Sequence, residues 1–431
     1  MSIVYTCFCC DKIHDGHLNI IREARKYGDV IIGVLCDSER VRYNRFPTIP
    51  IEDRISMCEA IDGVSKVIVQ DKIMYDNVIS ELKPQYIIHG DNWKSGAEAA
   101  IRENVIGLLS KYGGKLIEVP YTYNEDVVRT DLLIRERLAM PEYRRKRLRQ
   151  LLSLTPIVKV IEAHNGLSGL IAEKTIVARD GGLDQFDAMW ISSLCDSTIK
   201  GKPDIELVDM TSRIRTIEEI MDVTTKPIIF DGDTGGQTGH FVYNLRTLER
   251  IGVSAVIIED KIGLKRNSLY GTEVHQTQDT IENFCQKITA GVRAKRTDDF
   301  MIIARIESLI LGKGIEDALI RAEAYVNAGA DGIMIHSRSP EPAEVFEFCN
   351  KFRMRDKETI IVAVPTTYNE VKEAELISHG VNIVIYANQL LRSAFPAMES
   401  VAKQILINHR SKEVEGQLLP IKKVLSLIEE I

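Results

Sequence analysis

The sequence lacks long apolar runs, an excess of basic residues and a repeating cysteine framework, and each absence excludes a class of protein. No run reaches the roughly 18 apolar residues that a membrane-spanning helix needs, so we expect no membrane partner. The formal net charge of −7 argues against nucleic-acid binding. The eight unpatterned cysteines favour reduced thiols, and MSIVYTCFCC has no basic segment ahead of it, so we expect no signal peptide and a cytoplasmic location.

The chain is long and apolar enough for two domains. It has 431 residues, of which 45% are hydrophobic, and strand-like runs alternate with amphipathic helical runs throughout. This alternation predicts an α/β protein with parallel sheets. Five strands, SIVYTCF, DVIIGVLCD, VSKVIVQD, QYIIHGD and KLIEVPYT, predict a doubly wound, Rossmann-like sheet in an N-terminal domain over residues 1–138.

A basic segment follows this domain. Residues 139–155 contain the run RRKRLRQLL between Pro141 and Pro156, and the composition is typical of a helix. We interpret it as a solvated helical linker without a chemical role.

The remaining residues, 156–431, predict a (β/α)8 barrel. Eight apolar runs alternate with helical segments: IVKVIEA, AMWISS, PIIFDGD, AVIIED, MIIARIE, GIMIHS, IIVAVP and NIVIYAN. Most of these runs end in polar or charged residues. In a barrel such ends converge at one face, where the active site lies.

The acidic strand ends predict a magnesium site. Asp231 and Asp233 follow one strand, and Glu259 ends the next. Gly232, Gly235 and Gly236 let the chain leave the sheet, so that both aspartates can face the mouth of the barrel. Carboxylate oxygens suit a hard cation such as Mg²⁺, and Arg305 and His336 on later strands would attract an anionic substrate.

The barrel segment resembles the phosphoenolpyruvate mutase family of the isocitrate lyase superfamily. The resemblance rests on EDKIGLKRNS (259–268), EAHNGLSGLIAE, WISS, KPDIE, FDGDTGG, ARIES and MIHSR. It implies Mg²⁺-dependent interconversion of phosphoenolpyruvate and phosphonopyruvate. By this resemblance Asp231 would bind Mg²⁺ directly, and Asp233, Glu259 and Asp204 would hold its waters. The other implied site residues are Trp190 and Ser192 at the pyruvate part of the substrate, and Lys261, Lys265, Asn267, Ser268, Arg305 and His336 at its charged groups or in a closing lid.

A lid is expected because a transferring phosphoryl group must not meet water. Lys265, Asn267 and Ser268 lie where the family has this lid, although Gly263-Leu264 replaces its usual Phe-Pro. Phosphonopyruvate hydrolase shares the acidic cluster and stays an alternative, whereas Asn267-Ser268 favours the mutase. The superfamily's carbon–carbon lyases carry a Lys-Cys-Gly-His type of loop that this sequence does not contain.

The N-terminal motif DKIHDGHLNIIREA favours nucleotide binding. His14 and His17 share one face at the start of a helix that follows the first strand, and Gly16 leaves room for a phosphate there. The segment 1–136 resembles the His-x-Gly-His cytidylyltransferases. This resemblance implies CTP as a co-substrate with Mg²⁺, and a nucleotide site that includes His14, His17, Asp11, Arg54, Asp91, Arg129 and Thr130.

Two hypotheses remain for this domain. In the first it transfers CMP from CTP to a phosphonate such as 2-aminoethylphosphonate. In the second it binds nucleotide or a partner without turnover, because Cys7 and Phe8 lie where the family has a glycine. For the whole chain we expect small-molecule substrates and a homo-oligomer, since mutase relatives are commonly tetramers.

Overall fold

The computed structural model describes residues 2–43, 46–179 and 181–428. The chain divides into two compact units, one of residues 1–140, 150–155 and 174–187, and one of residues 141–149, 156–173 and 188–431. This division differs from the expected boundaries at 138 and 156. Residues 141–149 of the expected linker belong to the second unit, and residues 174–187 of the expected barrel segment belong to the first.

The first unit is built on the expected doubly wound sheet. Its strands are β1 (Ile3–Phe8), β2 (Asp29–Leu35), β3 (Val64–Gln70), β4 (Tyr86–Gly90) and β5 (Lys115–Val119), all parallel in the order β3-β2-β1-β4-β5. The strand order reverses between β1 and β4, which is where ligands bind in sheets of this type. The helices of this unit are α1 (Asp15–Ala24), α2 (Asp37–Arg42), α3 (Ile51–Glu59), α4 (Asp76–Leu82), α5 (Ala99–Tyr112) and α6 (Glu125–Ala139).

A hairpin from later in the chain completes the core of this unit. Its strands β7 (Ile176–Arg179) and β8 (Gly182–Gln185) are antiparallel. Leu183 is 3% exposed and packs in one apolar cluster with Tyr5, Leu35 and Ile73. The hairpin therefore belongs with the N-terminal sheet because of the apolar surface that Leu183 buries there.

The second unit is a closed barrel of eight parallel strands, which confirms the predicted fold class. The strands are β6 (Val158–Glu162), β9 (Ala188–Ile191), β10 (Ile228–Asp231), β11 (Ala255–Glu259), β14 (Met301–Ile306), β15 (Gly332–Ile335), β16 (Ile360–Ala363) and β17 (Ile383–Tyr386). Each lies within one of the eight predicted runs. The register sets Glu259 of β11 beside Arg305 of β14, so the pairing of the two strands brings these opposite charges together.

Helices alternate with these strands. They are α7 (Pro141–Leu154), α8 (Gly166–Lys174), α9 (Ser193–Ile199), α10 (Met210–Val223), α11 (Thr238–Ile251), α12 (Ile281–Ala294), α13 (Gly314–Asn327), α14 (Ala343–Arg355), α15 (Glu373–Ser378), α16 (Gln389–Asn408) and α17 (Ile421–Leu425). Within the described residues, no helix is both long enough and apolar enough to span a bilayer.

The segment between β11 and α12 forms its own small structure. It contains β12 (Lys261–Ile262), a 3₁₀ helix (Ser268–Glu273) and β13 (Thr277–Gln278), with β12 and β13 antiparallel. We call residues 261–278 the lid segment. Its base is fixed by Asp260, whose carboxylate accepts hydrogen bonds from Gln278, Arg321 and Tyr325.

Helix α7 is not a solvated linker. Arg144 is 1% exposed, and its guanidinium donates to the carbonyls of Met221, Thr224 and Lys226. Arg147 is also buried and donates to the carbonyl of Thr225. These carbonyls come just before β10, so the arginines pair backbone groups at the amino-terminal end of the barrel, opposite the strand ends that we expect to form the site. Arg144 and Arg147, which belong to the basic run that we interpreted as solvated, are therefore buried and hydrogen-bonded within the barrel unit.

Replacing Arg144 with Met should lower the free energy of unfolding of the barrel by about 3 kcal/mol or more, because several buried carbonyls lose their donor. Urea unfolding followed by Trp190 fluorescence, in a Trp93→Phe background, measures this change without the chain's other tryptophan. Lys146→Met, on the exposed face of the same helix, is the control. Equal midpoints for the two variants would show that α7 does not stabilise the barrel.

Candidate functional site

The strand ends of the barrel surround one small cavity. Its volume is about 60 Å³, and it lies at the carboxyl ends of β9, β10, β11, β14 and β15. Ten of the twelve predicted barrel-site residues line it: Trp190, Ser192, Asp204, Asp231, Glu259, Lys265, Asn267, Ser268, Arg305 and His336. The other two, Lys261 and Asp233, bond to residues of this lining.

The chain leaves the sheet at Asp231, as expected. Asp233 has a φ of 54°, an uncommon left-handed conformation for a residue with a side chain. A Cβ on the intervening Gly232 would lie 2.7 Å from the side chain of Val256, so only glycine fits this close approach. The turn brings both carboxylates into the mouth, where Arg213 donates to Asp233 at 2.9 Å.

Lys265 of the lid segment lies among these acids. Its ammonium group donates to Asp204 Oδ1 at 2.6 Å, to Ser193 Oγ at 2.7 Å and to Asp233. Asn267 Nδ2 donates to the other oxygen of Asp204 at 2.8 Å. The lid segment is therefore closed over the acidic side of the cavity, held mainly through Asp204.

A second group of contacts holds the other side of the lid segment. Ser268 Oγ donates to Glu307 Oε2 at 2.6 Å and accepts from Lys261 Nζ at 2.8 Å and Arg305 Nη2 at 2.6 Å. Nδ1 of His336 lies 2.9 Å from Arg305 Nη2 and 3.0 Å from Glu307 Oε1. Ser268 thus connects the lid to the cationic groups that we expect to bind an anion.

Burial and neighbouring charges set the protonation states of these groups. Burial raises the pKa of Glu259 to about 7, against the opposing effect of Arg305 and Lys261. Burial acts in the same sense on Glu307, but the positive charge of Arg305, together with the hydrogen bond from His336, outweighs it and holds the pKa of Glu307 well below the usual range. Burial and Arg305 lower the pKa of His336. At neutral pH the site therefore contains an ionised Glu307 and a neutral His336.

Three residues of this network were missed by sequence reasoning. Ser193, Glu307 and Arg213 each contact predicted site residues directly. Glu307 directly follows β14, and Ser193 lies two residues after the end of β9, so the rule that strand ends form the site could have found them. Arg213 is one of many charged residues on a helix, and nothing in the local sequence marks it.

The N-terminal histidines lie at the reversal of the sheet. His14 caps α1, with its Nδ1 accepting from Gly16 N at 3.1 Å, and its ring centroid lies 3.9 Å from that of His17. A Cβ on Gly16 would lie 3.0 Å from the His14 ring, so the glycine keeps the approach to the helix terminus open. The start of the helix suits an anionic ligand, because the helix dipole places partial positive charge there.

The side chains of Asp11 and Arg54 already form hydrogen bonds with other residues of the N-terminal unit. Asp11 accepts from Arg40 at 2.5 Å and from the backbone and hydroxyl of Thr48 at 2.7 and 2.8 Å. Arg54 is fully buried and donates to Leu35 and Asp37. Any role of these two side chains in nucleotide binding therefore acts through the loops that they hold.

The remaining candidates for the nucleotide site are Asp91, which follows β4, and Arg129 and Thr130 on α6. Asp91 follows β4 and accepts from the backbone N–H of Tyr121 at 2.8 Å. On α6, Thr130 is buried and accepts from Lys12 at 3.1 Å, whereas Arg129 is exposed. Lys12, which sequence reasoning did not select, thus joins the histidine loop to α6.

Comparison with known proteins assigns the barrel. The family model described as phosphoenolpyruvate phosphomutase matches residues 148–406, more than half of the chain. The chain belongs to the phosphoenolpyruvate phosphomutase family. A second model, described as cytidylyltransferase-like, matches residues 5–136. Both resemblances predicted from the sequence are confirmed.

Individual relatives agree with this assignment. A phosphoenolpyruvate phosphomutase from Tetrahymena pyriformis is 36% identical over 269 residues, covering 62% of this chain and 85% of the relative. The crystal structure of the phosphomutase from Streptomyces platensis subsp. rosaceus is 34% identical with a TM-score of 0.59, covering 65% of this chain and 93% of that one. A phosphonopyruvate hydrolase complexed with oxalate and Mg²⁺ is 31% identical with a TM-score of 0.58, covering 66% and 94%.

The side chains at the barrel mouth have the chemistry that a hard cation requires. Asp231, Asp233 and Glu259 offer carboxylate oxygens, and both oxygens of the buried Glu259 are without a hydrogen-bond partner among the described residues, although Lys261 and Arg305 lie 3.1 and 3.3 Å away. Within the described ranges, however, no three His, Cys, Asp or Glu side chains are grouped closely enough to hold a metal by themselves. Water or substrate oxygens would have to complete such a site, as is usual for Mg²⁺.

Proposed function

We propose that the barrel interconverts phosphoenolpyruvate and phosphonopyruvate. The observation that carries this proposal is the closed lid, in which Lys265, Asn267 and Ser268 all contact the side chains of the cavity. A reaction that transfers a phosphoryl group within one molecule needs such closure, because water would otherwise compete for the phosphorus.

The contacts suggest a role for each side of the cavity. Arg305 and His336 would bind substrate oxygens, with Glu307 holding both in orientation through its short contacts. Trp190 and Ser192, at the end of β9, would contact the pyruvate part. Lys261 and Asn267 would hold phosphoryl oxygens from the lid side, where each already contacts the site.

Magnesium is part of the proposal. Asp231, Asp233 and Glu259, together with Asp204, would hold the ion and its waters, in agreement with the two Glu259 oxygens, which form ion pairs but accept no hydrogen bond from the described residues. When bound, the ion would neutralise negative charge on the substrate. The hydrolase relative that was crystallised with oxalate and Mg²⁺ supports the choice of metal.

The reaction conserves every atom of the substrate. The bond between phosphorus and carbon 3 of phosphonopyruvate breaks, and a bond forms between phosphorus and the enolate oxygen. Fixed cations such as Arg305 and Lys261 can stabilise the charge on the phosphoryl oxygens throughout this transfer. The hydrolase reaction is the alternative, since it needs the same binding groups with water admitted.

Phosphorus NMR of the protein with Mg²⁺ and phosphonopyruvate tests this function. We expect phosphoenolpyruvate to appear without free phosphate, and we expect Arg305→Met to slow its formation at least 100-fold because a positive charge is lost from the substrate site. Lys351→Met, at an exposed ion pair on α14, is the control. Inorganic phosphate as the first product would indicate a hydrolase.

We further propose that the N-terminal unit transfers CMP from CTP to a phosphonate such as 2-aminoethylphosphonate. A phosphonate oxygen would attack the α-phosphorus of CTP and release pyrophosphate. His14 and His17, adjacent at the start of α1, would stabilise the charge on that phosphorus, and Arg129 would hold the triphosphate. Together the two units would make the protein a bifunctional enzyme of phosphonate biosynthesis.

The alternative for this unit is binding without turnover. Phe8, one of the two residues that lie where the family has a glycine, is 2% exposed, and its ring meets that of His17 edge to face at 4.7 Å. Its side chain is therefore packed in the core, and this favours an intact site over one blocked by a bulky group.

Pyrophosphate release from CTP in the presence of 2-aminoethylphosphonate distinguishes the two alternatives. The active enzyme should release it, and His17→Ala should reduce the rate at least 100-fold, because stabilisation of the transferring phosphorus is lost. His409→Ala, at the end of α16 in the barrel unit, is the control. CTP binding detected by calorimetry without any pyrophosphate would establish the binding module instead.

We also propose a cytoplasmic homo-oligomer. Helix α16 has no buried residue among those described, and its exposed apolar side chains include Phe395, Met398, Leu406 and Ile407, which are 60–74% exposed. A second copy of the chain is the expected cover for such a surface.

Sedimentation velocity should therefore show a species larger than the 48.6 kDa monomer. Phe395→Glu combined with Met398→Glu should shift it toward the monomer, since charges on this face oppose its burial. A monomeric wild-type protein would contradict the proposal.

A further inference from the structure

Ser193 connects the lid segment to the acidic cluster. It is the first residue of α9, is 6% exposed, and follows Ser192 at the end of β9. Its backbone N–H and its hydroxyl both donate to Asp231 Oδ2, at 3.0 and 2.9 Å. The same hydroxyl oxygen accepts from Lys265 Nζ at 2.7 Å. The serine is thus fixed by Asp231 on one side and contacts the lid on the other.

The direction of these hydrogen bonds makes the contact specific. A serine hydroxyl has one proton, and here Asp231 accepts it, so the oxygen can only accept from Lys265. Donation to a carboxylate also strengthens the hydroxyl oxygen as an acceptor. Lys265 has three protons, and its partners Ser193, Asp204 and Asp233 use all of them. The ammonium group of Lys265 therefore has an acceptor for each of its three protons only when the lid is closed.

We propose that Ser193 is a positioning residue that latches the closed lid to Asp231 and thereby sets the partition between phosphoryl transfer and hydrolysis. This inference rests on the mutase reaction proposed above. Ser193 would act through Lys265, because the length of time for which the lid stays closed decides whether water reaches the phosphorus.

The two competing reactions have different products. In transfer, the phosphorus–carbon bond of phosphonopyruvate breaks and a phosphorus–oxygen bond to the enolate forms. In hydrolysis, a water oxygen bonds to phosphorus as the same phosphorus–carbon bond breaks. Carbon 3 takes one proton from solvent, the water gives up one proton, and the products are pyruvate and inorganic phosphate. The ratio of phosphate to phosphoenolpyruvate therefore reports how well the lid excludes water.

Ser193→Ala isolates the latch. The variant keeps the backbone N–H that donates to Asp231 and loses the hydroxyl, which both accepts from Lys265 and donates to Asp231. The fraction of product released as phosphate should rise about tenfold, in line with the loss of a hydrogen bond to a charged group. We expect kcat for phosphoenolpyruvate formation to fall more than KM changes. Trypsin should also cleave faster after Arg266, an exposed residue of the lid segment.

Three further variants complete the test. Ser193→Cys keeps a side chain of similar size with a weak acceptor and should show the same loss, whereas Ser193→Thr keeps the hydroxyl and should restore the wild-type partition. Ser197→Ala is the matched control, because Ser197 is a buried serine one turn further along α9 and outside the cavity lining.

An unchanged phosphate fraction in both Ser193→Ala and Ser193→Cys, with unchanged cleavage after Arg266, would overturn the latch while leaving the mutase function intact. Phosphate as the main product of the wild-type protein would instead overturn the mutase function, and the inference with it. The wild-type measurement thus separates the two failures.

Discussion

The buried ammonium group of Lys265 is the interaction on which the barrel site depends. Several carboxylates lie at the mouth away from water, and uncompensated they would cost several kcal/mol each. Lys265 compensates Asp204 and Asp233 directly, and Asp231 through Ser193. Because Lys265 belongs to the lid segment, closure of the lid brings its positive charge to these carboxylates. Each carboxylate that a hard cation would use is thus also a contact that closes the site.

The barrel brings these charges together from distant parts of the sequence. Parallel strands end at one face, so Asp231, Glu259 and Arg305 meet although up to 74 positions separate them. At the opposite end of the barrel, buried backbone carbonyls that precede β10 need hydrogen-bond donors. The buried Arg144 and Arg147 provide them. Charged residues at the carboxyl ends of the strands thus form the candidate active site, whereas those at the amino-terminal end of the barrel form hydrogen bonds with buried backbone carbonyls.

Much of the fold and of the site could be predicted from the sequence. The apolar runs located all thirteen strands of the two sheets, because a buried parallel strand needs a continuous apolar stretch. Strand ends and family resemblance identified Asp231, Glu259 and Lys265. The burial of α7 and the placement of the hairpin with Leu183 could not be predicted, since both depend on which distant surface the segment covers. The partners of Lys265, Ser193 among them, depend on tertiary contacts in the same way.

The central claim is that the phosphoryl group moves within one closed site and never meets water. Turnover of phosphonopyruvate in ¹⁸O-enriched water, with mass spectrometry of the products, tests it most directly. Phosphoenolpyruvate whose three non-bridging phosphoryl oxygens carry no solvent label, with little inorganic phosphate, is the predicted result. Inorganic phosphate carrying one solvent oxygen as the main product would contradict the claim, because it would mean that water, and not the enolate, receives the phosphoryl group.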